Sequence, residues 1–160
     1  MRNVYLLLGS NMGDKLENIS TALMQIATFA GSLKLQSSIY KTEAWGNNNQ
    51  DYFLNKVVEI DTSLDAEKLL ATILQIELQL GRVRHNKWEA RLIDIDILYY
   101  DTAIIETKHL IVPHPYLHVR RFTLQPLAEI APLFKHPKLL KTNIEMLAEC
   151  DDKLEVVVMD

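Results

Sequence analysis

The sequence has almost no cysteine, no excess of basic residues and no long apolar run, and each shortage excludes a class of protein. The single cysteine, Cys150, forms no disulfide within the chain and supplies no cysteine-based zinc site. The apolar runs are too short to span a membrane, and the N-terminal one is too short for a typical signal peptide. We therefore expect a cytoplasmic protein without a membrane segment.

The net charge of −4 argues against a nucleic-acid partner, because a surface that binds nucleic acid is basic. The hydrophobic fraction of 48% and the charged fraction of 24% are ordinary for a globular protein. The 160 residues contain no clear linker and no internal repeat, so we expect one domain over 1–160.

The hydrophobic pattern predicts the element order β-α-β-β-α-β. Strands are expected over 4–9, 33–40, 54–60 and 91–101, with helices over 16–30 and 69–80. Asp14 is the expected N-cap of the first helix, and Ser63 or Asp65 that of the second. This order is the split-βαβ, ferredoxin-like arrangement, an α+β fold whose antiparallel sheet carries its helices on one face. C-terminal additions follow, namely a short strand near Ile104, helical pieces around 124–130 and 144–150, and a closing strand over 154–158.

The predicted strand over 91–101 carries two aspartates among isoleucines, leucines and tyrosines. Because side chains alternate along a strand, Asp94 and Asp96 point to one face together with Tyr100, and Tyr99 points to the other. Their carboxylates are expected about 6–7 Å apart. Two like charges on a largely apolar face favour a hard divalent cation such as Mg²⁺, held by carboxylates and substrate phosphates. The alternative is an edge strand whose aspartates are solvated.

A cluster of cations directly precedes these aspartates. The loop over 82–91 contains Arg82, Arg84, Lys87 and Arg91, with Trp88 among them. Arginine binds phosphate through paired hydrogen bonds, and cations beside a metal site are what phosphoryl transfer requires. The alternative is a solvated charged loop.

A second basic group follows the aspartate strand. His114 lies between two prolines, and Arg120 follows six residues later. A histidine in such a stiff segment suits a phosphate or ribose contact, although a single histidine is more often structural.

Polar and aromatic candidates for a planar ligand are spread along the chain. Asn55 offers a donor and an acceptor together, which suits the polar edge of a pyrimidinone ring. Trp45, Phe53 and Phe122 are candidates for the faces of that ring, although single aromatic residues more often belong to a core. Glu77, on the polar side of the second helix, is by itself an ordinary surface glutamate.

Several of these residues belong to short motifs that occur together in one order. The motifs are Leu8-Gly-Ser-Asn11, Tyr40-x-Thr42, Gly46, the Asp51–Asn55 segment, Glu77-Leu-x-x-Gly-Arg82, Arg91-x-x-Asp94-x-Asp96, Val112-Pro-His114-Pro and Arg120-x-Phe122. With them the chain closely resembles the 6-hydroxymethyl-7,8-dihydropterin pyrophosphokinase family, to about Pro132. The resemblance implies a ferredoxin-like α+β fold and an enzyme of folate biosynthesis. Such an enzyme transfers the pyrophosphoryl group of ATP to the hydroxymethyl oxygen of the pterin and releases AMP.

The resemblance also implies a role for each matching residue. Asp94 and Asp96 would bind two Mg²⁺ ions, and Arg82 and Arg91 would neutralise phosphates during catalysis. ATP would be held by Glu77, Arg84, His114 and Arg120. The pterin would be held by Thr42, Trp45, Phe53, Asn55, Trp88 and Phe122. The implied partners are these two substrates, with no nucleic acid and no membrane, and a monomer is compatible with the sequence. Arg121 stands where a small residue is common in the family, and we expect it to face solvent.

Two other functions remain open from the residues alone. A non-catalytic ferredoxin-like module that binds a metabolite or RNA is one, and its RNA form predicts exposed aromatic pairs on the central strands and a basic face. A two-metal nucleotidyltransferase is the other, and it requires a third carboxylate near the aspartate pair. Asp101 faces away from Asp94 by strand alternation, but Glu59 stays a candidate.

Overall fold

Six strands form one antiparallel sheet in a computed structural model of the chain, which describes residues 1–43, 51–81 and 92–159. The elements are β1 (Arg2–Ser10), α1 (Lys15–Phe29), β2 (Ser32–Gln36), β3 (Ile39–Thr42), β4 (Phe53–Thr62), α2 (Ala66–Gln79), β5 (Asp94–Tyr100), β6 (Ile105–Glu106), β7 (Ile111–Val112), a 3₁₀ turn (Leu117–Val119), α3 (Arg121–Ile130), α4 (Asn143–Glu149) and β8 (Val156–Met159). The strand order β5-β1-β4-β3-β8, with β2 also on β4, confirms the predicted ferredoxin-like α+β arrangement. None of the helices in the described ranges is long and apolar enough to cross a membrane.

The strand predicted over 33–40 is two strands, β2 and β3, which share one edge of β4. The break falls at Ser37, whose backbone N–H donates to the Val57 carbonyl and whose hydroxyl accepts from the Val57 N–H. The hydroxyl thus replaces a backbone carbonyl in the ladder. Serine readily makes such local bonds to the backbone, and they compete with a regular strand.

Both predicted helix starts are occupied by aspartate caps. The Asp14 carboxylate accepts from the Glu17 N–H at 3.1 Å, and the Asp65 carboxylate accepts from the Lys68 N–H at 2.8 Å. Asp65, rather than Ser63, is therefore the cap of α2. Each carboxylate satisfies one of the N–H groups that a helix leaves unpaired at its start.

The sheet has a core on each face. Helices α1 and α2 cover one face, where the even-numbered side chains of β1 meet Ile19, Ile26, Leu69, Ile73 and Ile76. Helices α3 and α4 cover the other face, where Tyr5 and Leu7 meet Leu117, Leu124, Leu127 and Met146. The prediction that the two helices of the core lie on one face is therefore confirmed, and the C-terminal additions cover the other face.

A β-bulge in β5 reverses the predicted orientation of its two tyrosines. The pairing of β1 with β5 shifts at Leu98, so this residue has no partner in the ladder. Beyond it Tyr99 packs in the α3–α4 core and Tyr100 in the α1–α2 core, the opposite of the alternation predicted from the sequence. One extra residue inverts the faces of all later side chains. Asp94 and Asp96 precede the bulge and keep their predicted common face.

The environment of His136, which lies between α3 and α4, predicts how the free energy of unfolding depends on pH. The side chain is 4% exposed, and its Nδ1 accepts from the backbone N–H groups of Lys138 and Leu139 at 3.2 and 3.0 Å. Burial, and then the neighbouring His118 and Lys138, lower the pKa of His136 to about 4. The unfolded value is about 6.5, so this contribution to stability is complete above that pH and is lost as the pH falls towards 4.

We expect the loss to be on the order of 2 kcal/mol in the free energy of unfolding, measured by urea denaturation between pH 7 and pH 4. The control is His136→Asn, whose side-chain oxygen keeps an acceptor for the two N–H groups without titrating. A pH profile of the variant as steep as that of the wild type would contradict this assignment.

Candidate active site

One row of residues crosses four strands on the face covered by α3. Asp94 of β5 pairs with Gly9 of β1, Gly9 pairs with Asn55 of β4, and Asn55 pairs with Tyr40 of β3. Paired residues of antiparallel strands point to the same face. The Tyr40 hydroxyl donates to Glu129 of α3 at 2.6 Å, which identifies that face.

The same strand register places three further predicted site residues on this face. Asp96 lies two residues from Asp94 on β5, and Thr42 of β3 pairs with Phe53 of β4, two residues from Asn55. The acids therefore lie on one side of β1 and the polar and aromatic candidates on the other. Two strand spacings separate them, about 10 Å.

The absence of a side chain at Gly9 lets the Asn55 side chain pack directly against the β1 backbone between these two groups. A Cβ atom at this position would lie 2.7 Å from Asn55 Oδ1. Asn55 is 3% exposed, and neither its Nδ2 nor the Thr42 Oγ1 has a hydrogen-bond partner among the described residues. Buried polar groups without partners are rare and costly in folded proteins. Two of them on one face of the sheet indicate a site for a polar ligand.

His114 brings a hydrogen-bond donor to the acid pair. Its Nε2 lies 4.0 Å from Asp96 Oδ2, and its Nδ1 accepts from the Tyr116 N–H at 3.1 Å. Burial, and then the Arg120 guanidinium, lower the pKa of His114 to about 4 against the opposing effect of Asp94. The ring is therefore neutral near pH 7. With Nδ1 used as an acceptor, its proton lies on Nε2, on the side of Asp96.

Arg120 stacks on two aromatic rings beside His114. Its guanidinium carbon lies 4.8 Å from the centroid of the Tyr116 ring and 5.5 Å from that of Phe122. Such stacking orients the planar guanidinium. The structure thus brings the stretch that holds His114, Arg120 and Phe122 up to Asp96 on β5.

Glu77 is not the surface residue that the sequence suggested. Its side chain is 2% exposed, and Oε2 accepts from the Ile95 N–H at 2.7 Å. Ile95 lies between the two aspartates, so Glu77 holds the backbone that carries them. Helical spacing contained the signal, because Glu77 lies four residues after the buried Ile73 and thus on the apolar side of α2.

The Glu77 contact predicts a specific loss of stability. We expect Glu77→Ala to lower the free energy of unfolding by about 2 kcal/mol, because the Ile95 N–H loses its charged acceptor. Glu77→Gln keeps an oxygen in place and is expected to lose less. Urea denaturation followed by circular dichroism measures both variants. Equal stability of Glu77→Ala and the wild type would contradict the contact.

Five of the predicted site residues lie outside the described residues, namely Trp45, Arg82, Arg84, Trp88 and Arg91. The cationic cluster and the two tryptophan contacts therefore remain predictions. The residues that flank the 82–91 segment are close to each other, since a Cβ atom on Gly81 would lie 3.1 Å from Leu92 Cδ1. Leu92 is two residues from Asp94, and its carbonyl accepts from the Ser10 hydroxyl. Gly81 and Leu92 therefore lie close to each other, beside the start of β5.

The carboxylates that a nucleotidyltransferase would require are engaged elsewhere. The Glu59 carboxylate accepts a hydrogen bond from the hydroxyl of Tyr5, its partner across the sheet. The Asp101 carboxylate accepts from the Asn3 N–H and from Arg2. Within 1–43, 51–81 and 92–159 no three His, Cys, Asp or Glu side chains are grouped to hold a metal.

The RNA-binding alternative also loses its main requirement. Among the described residues of the central strands β1 and β4, the aromatic side chains are Tyr5 and Phe53. Tyr5 is 7% exposed and lies edge-on to Phe134, and Phe53 is half-buried. No exposed aromatic pair for stacked bases is present there.

One face of this ferredoxin-like sheet carries two carboxylates, a neutral histidine donor and a stacked arginine. These features define the class of proteins that bind and transfer phosphoryl groups. The family model of 7,8-dihydro-6-hydroxymethylpterin-pyrophosphokinase matches residues 5–132, and the chain belongs to this family. The match ends where the resemblance read from the motifs ends.

Curated relatives agree with this membership. A 2-amino-4-hydroxy-6-hydroxymethyldihydropteridine pyrophosphokinase of Methylorubrum extorquens is 45% identical over 133 residues, which cover 82% of this chain and 84% of the relative. The protein of the same name from Bacillus subtilis is 45% identical over 132 residues, which cover 81% of this chain and 79% of the relative.

Solved structures agree in fold. A Plasmodium falciparum HPPK-DHPS with pterin and p-hydroxybenzoate has a TM-score of 0.75 at 18% identity, covering 93% of this chain. Only 42% of that longer chain is covered. At this identity the likeness concerns the fold alone.

Proposed function

We propose that this protein transfers the pyrophosphoryl group of ATP to the hydroxymethyl oxygen of 6-hydroxymethyl-7,8-dihydropterin, as an enzyme of folate biosynthesis. Membership of the pyrophosphokinase family supports the reaction. The single structural observation that carries it is the row Asp94, Gly9 and Asn55. This row presents a carboxylate and a buried amide to the same side, with only the backbone of Gly9 between them.

The acid pair fits Mg²⁺. Asp94 and Asp96 are oxygen donors on one face and two residues apart, the kind of ligand that this hard cation prefers. Few protein ligands leave coordination positions for phosphate oxygens and water. Bound there, one or two Mg²⁺ ions would neutralise phosphate charge and lower the pKa of the attacking hydroxyl. His114 serves beside them as a donor.

The nucleotide binds on the side of His114 and Arg120 in this proposal. The Nε2–H of His114 donates to a phosphate oxygen, and a neutral ring does so without adding charge. Arg120 supplies a stacked, permanently charged guanidinium that also binds phosphate oxygens. Arg82, Arg84 and Arg91 are proposed to add the remaining positive charge. Glu77 accepts from the Ile95 N–H and so fixes the backbone between the two aspartates.

The pterin binds on the other side of Gly9. The buried Asn55 amide and Thr42 hydroxyl form hydrogen bonds with the polar edge of the pterin. These bonds satisfy two groups that have no partner among the described residues. Phe53 and Phe122, both half-buried, contact the faces of the ring. Trp45 and Trp88 are proposed to complete this pocket.

Such a site needs no protein nucleophile. The hydroxymethyl oxygen attacks the β-phosphorus of ATP directly, and the bond between this phosphorus and the α,β-bridging oxygen breaks. AMP departs with the bridging oxygen, and the hydroxyl proton passes to solvent water. Catalysis then consists of holding two substrates in line and stabilising the charge on the transferred phosphoryl oxygens. Exclusion of water from the site protects ATP from hydrolysis.

Product analysis tests the proposal. The protein is incubated with MgATP and 6-hydroxymethyl-7,8-dihydropterin, and nucleotides are separated by chromatography. We expect AMP and pterin diphosphate in equal amounts. The control is a dihydropterin without the hydroxymethyl group, which is expected to yield no AMP. Formation of ADP, or no turnover of the hydroxymethyl compound, would contradict the proposed function.

A further inference from the structure

The C-terminal segment holds the residue between Arg120 and Phe122. The Arg121 backbone N–H donates to Asp152 Oδ2 at 3.0 Å, Arg121 Nε donates to the Asp152 carbonyl at 3.0 Å, and Nη2 donates to the Cys150 carbonyl at 2.9 Å. We call these three bonds the C-terminal clamp. Arg121, expected from the sequence to face solvent, is instead half-buried in it.

The clamp supplies a cap that α3 lacks locally. Arg120 occupies the N-cap position of α3, and its side chain makes no capping bond. The Asp152 carboxylate, 31 residues away, accepts from the first helical N–H instead. Its negative charge also lies at the end of the helix where a negative charge is favourable. The Leu154 N–H donates to Asp152 Oδ1 at 3.0 Å and orients this carboxylate.

The clamp connects the C-terminal segment to the substrate contacts. Arg120 and Phe122 flank Arg121 directly, and the Arg120 guanidinium lies over the Phe122 ring. An uncapped first turn frays, and its side chains then lose their fixed directions. Asp152 lies beyond the 5–132 match to the family, so this contact belongs to a part of the chain that the family model does not cover.

We infer that Arg121 and Asp152 are positioning residues, which fix Arg120 for the nucleotide and Phe122 for the pterin. This inference rests on the proposed function. It makes the C-terminal segment a part of substrate binding in this chain, although it touches neither substrate.

Steady-state kinetics of Asp152→Ala tests this. We expect KM for ATP and for the pterin each to rise about three- to tenfold, the range expected for loss of a helix cap. The kcat is expected to stay within about twofold, because the acid pair on β5 is untouched. A role in stability alone would instead lower the melting temperature and the active fraction and leave both KM values unchanged.

Two variants control for charge and for loss of the acceptor. Asp152→Asn keeps a side-chain oxygen for the Arg121 N–H, so we expect its KM values to lie much closer to those of the wild type than to those of Asp152→Ala. Asp151→Asn removes the same charge from the exposed neighbouring residue and is expected to leave KM unchanged. Unchanged KM in Asp152→Ala, or an equal rise in Asp151→Asn, would overturn the inference.

Nucleotide binding separates this inference from the proposed function. The Kd of Mg²⁺ and α,β-methylene-ATP is measured by calorimetry for the same variants. A wild type that binds the nucleotide but forms no AMP refutes the function, and a higher Kd in Asp152→Ala still supports the positioning role. AMP formation by the wild type, with equal Kd and KM in Asp152→Ala, refutes the positioning role alone.

Discussion

Asp96→Asn is expected to lower kcat for AMP formation about a thousandfold or more, and Asp94→Asn is expected to do the same. Each change removes one of the two carboxylates that β5 presents on the face covered by α3, at nearly constant volume. Metal-ion stabilisation of a transferring phosphoryl group amounts to several kcal/mol, and each 1.36 kcal/mol is a factor of ten in rate. Initial rates of AMP formation at saturating substrates measure the effect.

Asp101→Asn is the matched control for this prediction. Asp101 directly follows β5, and its carboxylate bonds the Asn3 N–H and Arg2 at the surface. We expect its kcat within about twofold of the wild type, since exposed ion pairs contribute little. Circular dichroism is expected to show all three variants folded. Near-normal kcat in Asp94→Asn or Asp96→Asn would refute the proposed metal site.

Gly9→Ala is expected to raise KM for the pterin about ten- to hundredfold and to leave KM for ATP nearly unchanged. Gly9 lies in extended backbone, which alanine adopts without strain, so the effect is steric. The new methyl group would lie 2.7 Å from Asn55 Oδ1, and the buried amide must move away from its pterin-binding direction. Kinetics with each substrate varied in turn separate the two KM values.

A double-variant cycle identifies the cause. Asn55→Ala by itself removes the amide and is also expected to raise KM for the pterin. If Gly9 acts through this amide, Gly9→Ala combined with Asn55→Ala has nearly the same KM as Asn55→Ala alone. Additive effects of the two substitutions would show that Gly9 acts in another way.

Local rules predicted much of the fold. Asp14 and Asp65 cap their helices because a short acidic side chain accepts from N–H groups that any helix leaves free. Asp94 and Asp96 share a face because strand alternation needs only the backbone. The prediction was wrong at Leu98, where the bulge depends on how β1 pairs with β5. A single sequence does not contain that register.

The remaining errors have the same origin. Glu77 is polar, and its burial is explained by the Ile95 N–H that β5 presents to α2. Arg121 is charged, and its partial burial is explained by the carbonyls of Cys150 and Asp152 and by the Asp152 carboxylate, about thirty residues later in the chain. In both cases a distant backbone supplies the partner that makes burial of a charged group favourable. Composition and periodicity do not report such partners.

The sequence by itself determined the order of helices and strands, the acid pair, and through its motifs the family and the reaction. Those features depend on neighbouring residues or on short spacings. Only the tertiary structure decided that the Asn55 side chain packs against Gly9, whose partner on the other side is Asp94, and that Asp152 caps the helix that begins beside Arg120. The first depends on the register in which the strands pair. The second depends on contact between residues that are 31 positions apart in the chain. Their physical reason is that sheet pairing and long-range capping join groups whose separation in sequence carries no local signal.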